Sequence, residues 1–205
     1  MREAAAAGSA APASLRATFV VAASAPVTTV MLIWGTKYLV AEHGLTQQTV
    51  GYYLWLPPVL FGSSALLFGE LRARSARTRL RTRPPRLLML AAMLLSLCIA
   101  AVPLAHGPWL CVAIASVAMA GSGGLYTLAT SDLLTNTRAG TIPIATGLTI
   151  LTQSLAYIVV SPLIGAIVQH FGNYDWVMIG AGLWIVPGCA YWLVHARSAN
   201  ALTSP

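Results

Sequence analysis

Six apolar stretches, each about 20 residues long, take up most of this chain, and an α-helix needs that length to cross a hydrocarbon core of ~30 Å. They run 17–40, 50–70, 87–105, 109–131, 143–168 and 176–195. Of the 205 residues, 57% are hydrophobic and 8% are charged, whereas a soluble domain carries about 25% charged residues. A water-soluble fold of this composition would expose apolar patches that aggregate. Lipid removes that objection, and a helix satisfies its own backbone inside it. The sequence therefore predicts an all-α membrane protein of six transmembrane helices. Residues 1–16 read as a cytoplasmic tail or linker, and 197–205 as a second tail.

The charges fix an orientation. If the start is cytoplasmic, Arg2, Arg16, Arg72, Arg74, Arg77, Arg79, Arg81, Arg83, Arg86, Arg138 and Arg197 all fall on that side, eleven of the twelve basic residues, and Lys37 alone falls on the other. Loops rich in Lys and Arg stay in the cytoplasm. The expectation is a multi-pass protein of the cytoplasmic membrane with both termini inside. The arginine run between the second and third stretches lacks interleaved aromatics and has no room for a nucleic-acid fold, so no nucleic-acid partner is expected. Anionic lipid is the better partner.

Other classes fall away on their chemistry. Cys98, Cys111 and Cys189 lie within apolar stretches without metal-ligand spacing, which makes them small apolar filler. No metal or cofactor is expected. Ala23-Ser24-Ala25 could end a signal peptide, but Pro26 follows and the apolar run continues. Ser122-Gly123 in the fourth span and His195 in the sixth suggest an intramembrane serine protease. Ala120 stands where the Gly-x-Ser-Gly motif needs glycine, and roughly ten residues of helix at ~1.5 Å each separate the two in depth. A nucleophile and its base must meet, so no catalytic residue is assigned.

Prolines 26, 57, 58, 103, 162 and 187 lie in or near the spans, with small-residue clusters at Gly62-Ser63-Ser64-Ala65, Gly121-Ser122-Gly123-Gly124, Ser161 to Gly165 and Gly180-Ala181-Gly182. Small residues let helices approach closely. That suits either helices that bend and slide or plain tight packing.

In order and spacing these pieces resemble the C-terminal half of a major facilitator superfamily transporter, most of all the anion:cation symporter branch that carries sugar acids and related carboxylates. Trp34-Gly35-Thr36-Lys37-Tyr38-Leu39-Val40 with Gly44-Leu45-Thr46 is similar to that branch's Trp-Leu-Pro-Lys-Tyr-Leu and Gly-Leu-Ser. Trp55-Leu56-Pro57, Phe68-Gly69-Glu70-Leu71, Ser131-Asp132-Leu133, Ser161-Pro162-Leu163-Ile164-Gly165 and His170-Phe171-Gly172 follow in its order. The likeness covers about 17–196. Thr36 replaces a proline, and Gly69-Glu70-Leu71-Arg72 departs from the Gly-x-x-x-Asp-Arg spacing.

The resemblance implies one half of a bundle, two inverted three-helix units with the first and fourth spans on the transport path. Such transporters have two six-span halves. The resemblance therefore implies a missing N-terminal half or a second copy as partner, with the chain a fragment or split product. The implied function is alternating-access transport of a small organic anion. The alternative is a non-transporting six-helix protein that assembles with another complex.

Glu3, Glu42, Glu70, Asp132 and Asp175 are the only acids. None is expected deep in the bilayer, where proton coupling usually needs one. Gln153 and Tyr157 lie mid-span, four apart and on one face. With Tyr126 and Thr28 they are candidates to line a substrate cavity. Helix-to-helix hydrogen bonding is the plainer reading, and for Thr28 and Thr29 bonds to their own backbone. Lys37 is a candidate for attracting an anion or a snorkelling interfacial lysine. Gly69, Glu70 and Arg72 are candidates for a gating loop.

Overall fold

The computed structural model describes residues 2–77, 86–137 and 139–201, with side chains placed from 13 to 75, 86 to 137 and 140 to 195. Arg79, Arg81, Arg83 and Arg138 lie outside the described residues. Six helices are long and apolar enough to span a membrane: Ala13–His43, Gln47–Ser75, Arg86–Leu104, Pro108–Asn136, Ile142–Phe171 and Asp175–His195. The chain is a multi-pass, all-α membrane protein, and no strand occurs among the described residues.

The two ends of the bundle are joined differently. Gly44, Gly107 and Gly172 have φ of 63°, 95° and 74°, left-handed values that glycine adopts without a Cβ penalty. All three sit in the short turns after the first, third and fifth spans. Gly44 and Gly172 terminate their helices as left-handed caps, and Pro108 opens the fourth span at its first position, where its missing N–H is harmless. The opposite end carries the arginines.

The first and fourth spans form the centre. In their most apolar stretches 67% and 61% of residues are buried, against 17% in the second span and 6% in the fifth. The first packs on the fifth and sixth, the fourth packs on the second and third, and the two centres touch each other. Exchanging spans 1–3 with spans 4–6 maps these contacts onto one another. Each unit has an odd number of spans, so the second enters the membrane from the opposite side. Two three-helix units in inverted orientation are the result.

Several helix boundaries differ from expectation. Helix begins at Arg2, so the segment read as a tail or linker is continuous with the helix of the first span. Alanine is the best helix former, and Ala13, Arg16 and Ala17 are already buried. The second span continues as helix to Arg77, so Gly69, Glu70 and Arg72 are helical and not in a loop. Glu70 and Arg74 pair at 2.8 Å one turn apart, a spacing that supports helix. The fourth span extends past the expected end at 131 and takes in Asp132.

Prolines and threonines account for the irregularities. The second span breaks at Trp55 between Gln47–Leu54 and Leu56–Arg77, because Pro57 and Pro58 remove two consecutive backbone donors. At the break the Trp55 indole donates to the Tyr52 carbonyl at 3.1 Å. The third span tightens into a 3-10 helix over Cys98–Leu104, which contains Pro103. In the first span a π-helix occupies Val30–Trp34. Just before it, both Thr28 and Thr29 hydroxyls donate to the Ala25 carbonyl, at 2.9 and 2.7 Å, and such back-bonding bends helices.

Candidate functional site

Halfway through the bundle the first and fifth spans share a polar chain in otherwise apolar surroundings. Gln153 Nε2 donates to Tyr157 Oη at 2.8 Å, Tyr157 donates to Thr28 Oγ1 at 3.3 Å, and Thr28 donates to Ala25 O. Gln153 and Tyr157 fall one turn apart on the stripe of the fifth span that meets the first, and both are half-buried. Thr28 is buried. The π-helix begins two residues after Thr28, and π-helical turns often mark functional positions. Three of the cavity candidates therefore meet.

Tyr126 does not join them. It lines a separate groove of about 430 Å³ on the arginine-rich half of the fourth span, with Thr127, Thr130, Ser131, Leu134 and Thr135. Four hydroxyl residues besides Tyr126 line it, but most of the surface it exposes is apolar.

Lys37 stands at the opposite end, exposed, with its ammonium 4.3 Å from the centre of the Trp34 ring. The Trp34 indole donates to Ser161 Oγ at 3.1 Å and so ties the first span to the fifth. Glu42 accepts from the Tyr174 backbone N–H at 3.1 Å. Burial, and then the Glu42 carboxylate, raise the Tyr174 phenol above its ordinary value. Ser122 and His195 stay apart: Ser122 pairs with Ser96 at 2.8 Å in the core, while His195 is exposed beside the Tyr191 carbonyl.

Sequence reasoning missed the strongest polar contact. The sequence puts Arg16 in the first tail and Asp132 just past the fourth apolar stretch, yet they meet. Arg16 donates from Nε at 3.2 Å and Nη2 at 3.0 Å to Asp132 Oδ2. Trp192 Nε1 donates to the same oxygen at 3.2 Å, and Asn136 Nδ2 donates to Oδ1 at 2.9 Å. The Arg16 and Asp132 side chains are 7% and 14% exposed. The residues lie 116 positions apart, so no local spacing could signal the pair.

The fold and this site define a class, a six-span α-helical membrane protein built as two inverted three-helix units around a polar mid-bundle network. Comparison with known proteins finds no family whose model matches the chain and no curated protein that matches it.

Proposed function

We propose that this chain is one six-span half of a secondary transporter for a small organic anion, resident in the cytoplasmic membrane with both termini inside. The Gln153–Tyr157–Thr28 chain carries the reading. A polar group in hydrocarbon needs a partner or a water-lined cavity, and this network sits mid-membrane beside a helix irregularity. The inverted units support it, because transporters often bind substrate at the midplane between such repeats. The open faces of the second and fifth spans support a second six-span body as partner. The resemblance in motif order points to the same superfamily and suggests a sugar acid or aromatic carboxylate as substrate.

None of the described acids lies mid-membrane beside the network. Glu42 and Asp175 are at one end, and Asp132 and Glu70 are toward the other. The chain expressed alone is therefore expected to show no proton-driven uptake. Co-expressed with a matching N-terminal half, it takes up labelled organic acid, and Gln153→Ala lowers that uptake about tenfold, the loss of one good hydrogen bond. Robust proton-driven uptake by the isolated chain defeats the half-transporter reading. Unchanged uptake in Gln153→Ala removes only the site.

The orientation has its own test. A reporter active only outside the cytoplasm, fused after Leu45, Gly107 or Tyr174, is active, and one fused after Arg79 is silent. Activity at Arg79 reverses the assignment.

A further inference from the structure

We propose that the crevice between the first, fifth and sixth spans binds one acyl chain of a phospholipid from the leaflet on the Lys37 side, as a held lipid and not as passing solvent. The crevice has a volume of about 190 Å³, and its walls present no polar surface. A water in a cavity needs about 2–4 polar partners, so water does not fill it. The protein does not fill it either. The fifth and sixth spans both lean on the first and make few contacts with each other, which leaves the space between them open. An unfilled void forfeits dispersion contacts along its lining.

Depth and direction match a lipid tail. The crevice starts beside the turn at Gly172, between Ile167 of the fifth span and Val177 of the sixth, and reaches Val159, Trp184 and Pro26 near the middle of their spans. Phe171 and Trp176 flank that turn, exposed and with ring centroids 5.7 Å apart. Exposed aromatics at helix ends mark the level of the headgroups. From Ile167 to Val159 the fifth span descends eight residues. That is about 12 Å, against ~15 Å for the hydrocarbon of one leaflet.

Width excludes the other apolar occupant, a helix of a second body. About 190 Å³ drawn out along ~12 Å makes a passage ~4 Å across, whereas a helix with its side chains is about 10–12 Å across. Of what a membrane offers, only a lipid tail is that slender. Val30, Ile164 and Val177 are buried at the floor, and Val159, Leu163 and Trp184 are exposed at the lip, so a tail enters sideways from the bilayer. Once in, it lies against Pro26 and Val30. Those two residues flank the Thr28 and Thr29 back-bonds, and Val30 is the first residue of the π-helix. The lipid therefore packs the irregular part of the first span, and it does so whether or not the chain transports anything.

Phosphatidylcholine with a diazirine midway along one acyl chain is the probe. It is added in increasing amounts to the detergent-purified chain and photolysed, and the adducts are mapped by peptide mass spectrometry. Adducts at Val160 and Ile167 are expected to saturate near one lipid per chain. Those at Leu66 and Leu94, exposed on the second and third spans, keep rising with added lipid. Gly180→Leu puts a side chain into the crevice, where open space surrounds Gly180. It is expected to cut the crevice adducts at least about tenfold and to leave those at Leu66 and Leu94 unchanged. Crevice adducts that rise without saturation are ordinary solvation and overturn the proposal. An unlabelled crevice beside labelled open faces overturns it too, because protein or nothing then fills the space. Both of these readouts come from the parent chain and need no variant to fold. Crevice labelling that survives in a folded Gly180→Leu chain also defeats it.

Discussion

Gly121→Leu is expected to leave almost no folded, monodisperse protein in a detergent extract. The leucine side chain has nowhere to go. Its first carbon alone would sit 2.6 Å from Ala92 O and 2.7 Å from Ser96 Cα. The fourth span cannot retreat, because Gly123 presses on Ser64 and Gly124 on Phe68 from the other side. Retreat would also break the buried Ser96–Ser122 hydrogen bond. Overpacking of side chains against side chains costs about 1–3 kcal/mol. Here the obstacle is backbone, which does not rotate away, so the loss reaches or exceeds the upper figure. Gly62→Leu is the control, since open space surrounds Gly62. Size-exclusion profiles and thermal midpoints of the two variants decide the matter. Equal behaviour means that the third and fourth spans are not packed as described.

Tyr157→Phe separates a wet cavity from a dry helix contact. The substitution deletes the acceptor of Gln153 Nε2 and the donor to Thr28 with little change of shape. In a dry bundle the stranded amide costs about 1–3 kcal/mol, and Gln153→Leu, which removes the amide altogether, is milder. In a cavity open to water, solvent takes over the lost bonds. The transport reading therefore predicts a thermal stability within ~0.5 kcal/mol of the parent, the ordinary range for tolerated changes. It also predicts uptake by the paired halves reduced about tenfold, one hydrogen bond to substrate. A large stability loss with uptake intact assigns the tyrosine to helix packing and removes it from the substrate path.

Span number and helix type were legible from residues alone. An apolar stretch of this length has no other stable state in lipid, and both are consequences of local composition. The short loops were legible as gaps between apolar stretches, but that Gly44, Gly107 and Gly172 turn the chain with left-handed backbone came from the structure. Pairings were not legible. Lipid is as apolar as the side chains it replaces, so hydropathy cannot say which face meets a neighbour. The nearly uniform fourth and fifth spans show no apolar stripe that would point the way.

Gln153 and Tyr157 could be placed on one face because four residues make one helical turn. That their partner is Thr28, and that Tyr126 belongs to a different groove, depended on how the first span lies between the fourth and fifth. Arg16 and Asp132 show the limit most clearly. Read locally, each is a charge near the end of an apolar run, and charges there belong in water. Only the antiparallel packing of the first and fourth spans brings them within 3.0 Å. The energy that keeps them buried comes from that meeting and from Trp192, and neither residue carries it alone.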